Sequence, residues 1–354
     1  MLFESRIRLA GPGRVSRRLP KAPRRRPGVL VQLCCGLLLF PLVAMGAGEP
    51  VRVGLLKFGT VNWEMDVVGS EGLAEREGVD LQVRPLASTN AVNVALQGGA
   101  VDVIVNDWIW VSRQRAAGHD YAFVPYSLAV GSLMVAPDSG VEKLADLRGK
   151  RVGVAGGPVD KSWLLLQVYA RQTLGEALTD LVEPVFAAPP FLNQLALDGD
   201  LPAVLNFWHY GARLKVAGWQ PLLSVAEILP ALGVDRPVPL LGWVFSADWA
   251  AQHPKAIKGF LRASYAAKRR LADSDSEWER LRPVMRVEDE ATLHALRDGY
   301  RAGIPTCFGE ADVQAARRVF EIMAREGGTE LVGSSKALSA GTFWEGYEIG
   351  ACPQ

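Results

Sequence analysis

The sequence predicts an α/β fold of two similar lobes, with parallel or mixed sheets flanked by helices and two hinge crossings between the lobes. Three observations predict it. Two stretches, Asn93–Trp108 and Asn193–Trp208, repeat each other at an offset of 100 residues. Strand-like and helix-like segments alternate twice along the chain, which is typical of sheets covered by helices on both faces. Two apolar segments, Leu128–Ala136 and Leu240–Phe245, flank the second alternation.

The repeat indicates a duplicated lobe. Each copy predicts a short helix, a glycine stop, a buried strand and an Asn-x-Trp at the strand end. The offset is too long for a solenoid repeat of about 20–50 residues. The alternative to a duplicated lobe is that a common helix–glycine–strand pattern recurs by chance. We predict a first lobe of residues 47–131 and 241–354 and an inserted second lobe of residues 132–240. Because open α/β sheets bind ligands at the carboxyl ends of their strands, each Asn-x-Trp marks a candidate site.

Residues 1–46 are predicted to be a cleaved signal peptide. A basic segment precedes the apolar run Val29–Ala44, which is shorter than a membrane span requires. Small residues at Ala44 and Gly46 predict cleavage after Gly46 and a periplasmic location. A retained N-terminal anchor is the alternative, and Ser16–Arg18 leaves the choice between the Sec and the twin-arginine export routes open.

Charge and cysteine content after the leader exclude some classes of protein. The remaining chain has 30 basic and 37 acidic residues, a net charge of −7, which argues against nucleic-acid binding. It contains two cysteines, Cys307 and Cys352, and an even pair in an exported chain indicates a disulfide. Two free thiols are the alternative.

The first alternation runs to Tyr126. Unbroken apolar, β-branched runs predict its strands, and glycines predict where its helices end. The predicted elements are strand Val51–Phe58, helix Val61–Arg76, strand Val79–Leu86, helix Ala91–Gln97, strand Val101–Val105, helix Trp108–Ala117 and strand Tyr121–Tyr126.

The second alternation follows the first crossing. Its predicted elements are strand Arg151–Ala155, helix Lys161–Leu174, strand Glu183–Ala187, helix Phe191–Leu197, strand Ala203–Leu205, helix Tyr210–Ala217 and strand Pro221–Val225. After the strand Leu240–Phe245 the pattern is helical, with helices predicted over Ala247–Ala251, Lys255–Ala272, Glu288–Ala302 and Glu310–Arg325.

Four segments match the motifs of a known family. They are Lys57–Thr60 after the first strand, Ala95–Asp102, Leu144–Val154 and His253–Ala263. In these segments and their order, the chain resembles the type II periplasmic substrate-binding proteins of ABC transporters, in the nitrate/sulfonate/taurine and thiamine-precursor (NMT1/THI5-like) branch. The chain departs from the family at Gly199–Pro202, the second copy of the Gly-x-x-Asp pattern, and we expect the ligand-side chemistry of that loop to be altered.

The resemblance implies an extracytoplasmic solute-binding protein. Such a protein captures a small ligand between its lobes and delivers it to an inner-membrane ABC permease, without a cofactor or a metal, and we expect a monomer. A ligand sensor or accessory protein without a permease is one alternative. An enzyme similar to the thiamine-pyrimidine synthase is another, but that enzyme has a cysteine-rich motif, which the chain after the leader lacks. The histidines have no metal-ligand spacing and there is no Gly-x-Ser-x-Gly elbow, so we expect no enzyme.

Candidate ligand residues of the first lobe follow the predicted strand ends, since ligands of such folds lie at strand carboxyl ends and helix amino ends. They are Lys57, Thr60, Asn62, Trp63, Ser88, Thr89, Asn90, Asn106, Asp107 and Trp108. Ser88–Asn90 are equally suited to cap a helix, so both roles stay open.

Candidate residues of the second lobe occupy the equivalent places. They are Gly157, Asp160, Lys161, Ser162, Trp163, Asn193, Asn206, Trp208, His209 and Tyr210. The segment Gly156–Trp163 has neither P-loop nor dinucleotide-binding spacing. Its glycine-rich start offers N–H donors to an anion, and an ordinary βα turn is the alternative.

Four tryptophans follow predicted strand ends and suggest the class of ligand. Indoles in a cleft suit a planar ring or a cation, whereas packing between the lobes is the alternative. With the nearby amides and lysines, they predict a small organic ligand with a planar or aromatic part and a polar or anionic group, rather than a bare oxyanion such as nitrate. The four are Trp63, Trp108, Trp163 and Trp208.

Overall fold

A computed structural model describes residues 48–352 of the chain, so the predicted signal peptide lies outside the described residues. Within residues 48–352, no helix is both long enough and apolar enough to cross a membrane. The strands are β1 Glu49–Leu56, β2 Val79–Leu86, β3 Val103–Asp107, β4 Tyr121–Ser127, β5 Ser132–Val135, β6 Arg151–Ala155, β7 Glu183–Ala187, β8 Ala203–Asn206, β9 Gln220–Ser224 and β10 Leu241–Ser246.

Helices follow most of the strands and dominate the C-terminal third. The helices are α1 Val61–Ser70, α2 Leu73–Arg76, α3 Thr89–Gln97, α4 Trp108–Ala116, α5 Lys161–Leu174, α6 Leu178–Leu181, α7 Pro189–Leu197, α8 Trp208–Val216, α9 Val225–Ala231, α10 Ala247–Gln252, α11 Pro254–Asp273, α12 Asp275–Met285, α13 Glu290–Ala302 and α14 Glu310–Val332.

The ten strands form two five-stranded sheets with the same topology. The first sheet has the order β2-β1-β3-β10-β4 and the second the order β7-β6-β8-β5-β9. In each sheet the first three strands are parallel, and one antiparallel strand, β10 or β5, lies between the third strand and the last. This confirms the predicted two-lobed α/β fold with mixed sheets.

The strands divide between the sheets near the predicted crossings. β5 begins the second sheet at Ser132, and β10 returns the chain to the first sheet at Leu241. The predicted lobe boundaries are compatible with this division and stay predictions. The apolar segment Leu128–Ala136 is a strand over Ser132–Val135 alone.

Three apolar cores hold the elements together. The largest includes Trp108 of α4, Trp163 of α5 and Phe320 of α14, so it extends through both lobes. A second core lies between the first sheet and α1 and α11–α13, and a small third core includes Trp219. Because α14 contacts both α4 and α5, and α13 contacts α8, the C-terminal helices join the two lobes.

Two details differ from the predicted elements, and one glycine is fixed by packing. The predicted helix Val61–Arg76 is divided because Gly72, at φ 59°, takes a left-handed conformation between α1 and α2. Helices α6, α9 and α12 were not predicted at all. In β10, Gly242 is required by close packing, because a Cβ there would lie 2.3 Å from the Phe123 ring.

Candidate functional site

The repeated asparagines form the same hydrogen-bonded clasp in both lobes. The Nδ2 of Asn106 donates to Oδ1 of Asn93 at 2.6 Å, and the Nδ2 of Asn206 donates to Oδ1 of Asn193 at 2.8 Å. Oδ1 of each strand-end asparagine accepts a bond from the next backbone N–H, that of Asp107 or of Phe207, at 2.8 Å. The clasp ties a helix to the end of the strand that follows it, so these amides hold the loop conformation.

An ion pair connects the strand end of the first lobe to a helix start of the second. Nζ of Lys161 lies 2.7 Å from Oδ2 of Asp107, whose Oδ1 accepts a bond from the backbone N–H of Trp110 and caps α4. Burial by itself would lower the pKa of Lys161, but the Asp107 carboxylate raises it above its ordinary value. Two candidate ligand residues therefore neutralise each other between the lobes.

The N-terminus of α5 is occupied by its own capping residue. Oδ1 of Asp160 accepts bonds from the backbone N–H groups of Ser162 and Trp163, at 2.9 and 3.1 Å. Gly156 and Gly157 have φ values of 84° and 90°, which lets the loop wrap around this carboxylate. Burial raises the pKa of Asp160, while Lys161 lowers it. The glycine-rich loop thus has the geometry of a capped βα turn.

The loop after β1 contains candidate ligand residues that are hydrogen-bonded or buried and others that are exposed. Asn62 donates from Nδ2 to the carbonyls of Leu56 and Gly59, at 2.8 and 2.7 Å, and so holds the loop closed. Thr60 is buried at the start of α1, whereas Lys57 is exposed.

The loop after β2 begins with a helix cap. The hydroxyl of Ser88 accepts a bond from the N–H of Ala91 at 3.2 Å, which is the capping role that the sequence left open. Thr89 and Asn90 are exposed at the start of α3.

The four tryptophans have two different environments. Trp108 and Trp163 are fully buried in the shared core, Trp108 against Phe343 and Trp163 against Phe186. They have the packing role that the sequence left as the alternative. Trp63 is buried in the second core, against Trp278, and it also meets half-buried Trp208 across the lobes, with ring centroids 6.1 Å apart at 83°. The ring of Trp208 also lies against Gly299 of α13, where a Cβ would be 2.9 Å away.

His209 is enclosed beside this pair of indoles. Its ring centroid lies 6.4 Å from that of Trp63, 5.6 Å from that of Trp208 and 4.3 Å from that of Tyr210. Both imidazole nitrogens are buried without a hydrogen-bond partner. Burial lowers the pKa of His209 to about 3, and the charge of Arg213 contributes. A neutral imidazole with a free donor and a free acceptor is therefore held where the lobes meet.

Three residues at this junction were missed by the sequence reasoning. Phe58 in the first loop is 62% exposed, and Phe207 before α8 is 37% exposed. The guanidinium carbon of Arg286 lies 6.0 Å from the centroid of the Phe58 ring. Their positions after strand ends could have identified the two phenylalanines, but Arg286 follows a helix that was not predicted.

A buried charge network lies beneath α1. Glu64 pairs with Lys268 and accepts bonds from the hydroxyls of Ser264 and Tyr300, at 2.5 and 2.7 Å. Nζ of Lys268 lies 3.5 Å from the centroid of the Tyr126 ring. Because its charges satisfy one another inside the first lobe, the network supports the helix that carries Trp63.

The predicted disulfide is present between Cys307 and Cys352, whose Cα atoms are 5.1 Å apart. It attaches the C-terminal tail to the loop before α14. A cavity of about 330 Å³ lies elsewhere, between α8 and α13, and Trp208 is the one candidate ligand residue that lines it.

Comparisons with known proteins agree with the predicted family. Residues 70–201 match the family model described as NMT1/THI5 like. No curated protein has a significantly similar sequence. The alkanesulfonate-binding protein SsuA from Xanthomonas axonopodis pv. citri, bound to MOPS, shares 17% identity and a TM-score of 0.64, over 84% of this chain and 99% of that one.

Two further structures share the fold. The periplasmic aliphatic sulphonate-binding protein SsuA from Escherichia coli is 18% identical with a TM-score of 0.66, over 86% of this chain and 95% of that one. The desulfurization enzyme DSZB is 14% identical with a TM-score of 0.53, over 81% of this chain and 97% of that one. The chain thus has the two-lobed fold of the type II periplasmic binding proteins, and its residues 70–201 match the NMT1/THI5-like family.

Proposed function

We propose that the protein is an extracytoplasmic solute-binding protein that holds a small organic ligand between its lobes and delivers it to an ABC permease. The observation that carries the proposal is the junction of Trp63, Trp208 and His209, where aromatic rings from both lobes meet beside the two unpartnered nitrogens of His209. Such a junction suits a ligand with a planar or aromatic part and a polar or anionic group.

Closure around the ligand follows from its place between the lobes. A ligand that contacts Trp63 on α1 and Trp208 on α8 makes all its contacts only when the lobes meet, so it favours the closed arrangement. Asn62, Asn106, Asn193 and Asn206 would then act indirectly, by holding the loops in place. The exposed Lys57, Thr89 and Asn90 would face the solvent side of the ligand.

Export and partners complete the proposal. The basic segment and apolar run of residues 1–46 support export to the periplasm, where a monomer would meet the permease. The periplasmic sulfonate-binding proteins of the same fold support this role. A sensor without a permease would bind ligand in the same way. Deletion of neighbouring permease genes, followed by uptake measurements, distinguishes a transport protein from a sensor, because uptake of the ligand is lost only for a transport protein.

A thermal-shift screen of sulfonates, carboxylates and aromatic metabolites tests the binding function. A ligand at a hundred times its Kd adds about 2.7 kcal/mol to the free energy of unfolding, which gives a readily measured rise in Tm. No shift with any class would contradict the proposal. The likeness to DSZB makes an enzyme the second candidate, and mass spectrometry of the incubated ligand tests it, because a binding protein returns the ligand unchanged.

A further inference from the structure

Arg286 has a backbone conformation that its residue type disfavours. It ends α12 with φ 55° and ψ 55°, and among residues 48–352 it is the one residue other than glycine with a positive φ. Glycine or asparagine normally occupies such a position, because a Cβ makes the left-handed region unfavourable. An arginine held there indicates that its side chain has a use at this place.

The side chain of Arg286 lies between the two lobes and has no partner for its charge. Its guanidinium is 6.0 Å from the ring centroid of Phe58, in the loop after β1. The end of α12 also lies against α8 of the second lobe, because the guanidinium of Arg213 donates to the carbonyl of Met285, the residue before Arg286, at 2.8 Å. The charge of Arg286 accordingly acts against the rise that burial causes in the pKa of Tyr210 on α8. Within the described part of the chain, Arg286 forms no side-chain hydrogen bond and no ion pair.

Two neighbouring cations, Lys161 and Arg213, already have hydrogen-bond partners. Lys161 is paired with Asp107, and Arg213 donates from its guanidinium to the carbonyl of Met285 at 2.8 Å. The N–H groups at the start of α5 are taken by Asp160. Arg286 therefore carries an unpaired positive charge beside the aromatic junction, at the carboxyl ends of β1 and β8. Lys57, in the exposed loop after β1, is a second cation there without an ion pair in the described part of the chain.

We infer that Arg286 and Phe58 are specificity-determining residues that recognise an anionic group attached to an aromatic ring, such as an aryl sulfonate or aryl carboxylate. This inference rests on the proposed binding function and deepens it. The planar guanidinium offers paired N–H donors that match two oxygens of a sulfonate or carboxylate. The exposed face of Phe58 offers an edge or offset contact to the ring of the ligand.

Isothermal titration calorimetry with benzenesulfonate and with neutral benzenesulfonamide tests the inference. The parent protein should bind benzenesulfonate about tenfold or more tightly than benzenesulfonamide, because a hydrogen bond to a charged partner is the stronger one. Arg286→Gly should weaken benzenesulfonate by at least about tenfold while changing benzenesulfonamide by no more than about threefold. Phe58→Ala should weaken both probes by a similar factor.

Two controls separate recognition from folding and from net charge. Arg286→Gly should not lower Tm, because glycine relieves the left-handed strain, so a loss of binding cannot be ascribed to unfolding. Arg151→Gln removes the same charge at the amino end of β6, away from the strand carboxyl ends, and should bind both probes as the parent does.

Three results would overturn the inference: no preference of the parent for benzenesulfonate, no binding of benzenesulfonate at all, or an equal loss of both probes in Arg286→Gly. If the thermal-shift screen still finds a ligand of another class, the binding function survives and the role of Arg286 does not. If neither experiment finds a ligand, both fail.

Discussion

At the scale of single residues, the sequence located candidate side chains better than it assigned their roles. Trp63 and Trp208 meet across the lobes, whereas Trp108 is fully buried against Phe343. The local pattern after a strand is the same in all of these cases. Whether such a tryptophan is fully buried depends on distant segments that pack over it, such as the segment that contains Phe343. The sequence near Trp108 does not indicate which distant segment packs there. His209 was predicted at the end of a strand and lies just beyond it, in the first turn of α8, but its enclosure depends on Trp63.

His209 should make the stability of the protein depend on pH. Its pKa is lowered to about 3 by burial and by Arg213, against an ordinary value of 6.5. Between these two pH values the unfolded chain binds more protons than the folded protein. The stability that His209 contributes is therefore fully present above pH 6.5 and is lost as the pH falls toward 3. We expect this group to lower the free energy of unfolding by about 2 kcal/mol between pH 7.5 and pH 5.

Urea unfolding at the two pH values checks the expectation. His209→Phe keeps the aromatic volume without a titrating group, so its stability should fall less on acidification than that of the parent. His119→Phe, at an exposed histidine, is the matched control and should retain the pH dependence of the parent. The same acid sensitivity in His209→Phe and in the parent would exclude the histidine as its source.

At the scale of elements, the repeat predicted a real structural unit, the clasp between a helix and the strand after it. It could not predict that the asparagines bond to each other, because a repeat marks a shared conformation and a shared ligand contact equally well. Helix α12 escaped prediction because charged residues and Pro283 conceal its buried stripe of Trp278, Leu281 and Met285. Consequently Arg286, which ends that helix, was missed as well.

The clasp predicts a large loss of stability from Asn206→Ala. Asn206 is buried, donates to Asn193 and to the carbonyl of Pro189, and accepts a bond from Phe207. Its removal leaves buried polar groups without partners, and we expect the free energy of unfolding to fall by about 2–3 kcal/mol. Asn106→Ala is the matched variant in the first lobe. It should lower the free energy of unfolding by less, because Asn106 makes no bond equivalent to that of Asn206 with Pro189. Chemical denaturation of both variants gives the comparison, and a loss below about 0.5 kcal/mol in each would mean that the clasp is not structural.

At the scale of the whole molecule, the double alternation was sufficient to predict two α/β lobes. Each strand and helix is encoded by local periodicity, so the count and order of most elements follow from the chain. The antiparallel insertion of β10 and β5 does not, because strand order depends on pairing between segments far apart in sequence. The junction between the lobes is equally non-local, since α13 and α14 contact helices of both.

The ion pair between Asp107 and Lys161 should help to hold the lobes together. Asp107→Asn retains a side-chain oxygen that can cap α4 but removes the charge that Lys161 faces, so it cuts the bridge without unwinding the helix. Because Asp107 is buried and the Lys161 side chain is 26% exposed, we expect a loss between that of a surface pair and that of a buried pair, about 1–2 kcal/mol. Small-angle X-ray scattering of the ligand-free variant should show a larger radius of gyration than the parent has.

A double-mutant cycle isolates the bridge from other effects of the substitution. In the Asp107→Asn background, Lys161→Met should lower the free energy of unfolding little further, because the ion pair is already broken. In the parent, Lys161→Met should lower it more, because the buried Asp107 carboxylate is left without its partner. The shared core of α4, α5 and α14 remains in every variant, so the lobes should separate at the strand ends and stay joined at α14. If the losses in the free energy of unfolding are additive and the radius of gyration is unchanged, the apolar core alone determines the lobe arrangement. The ion pair would then be a consequence of that arrangement.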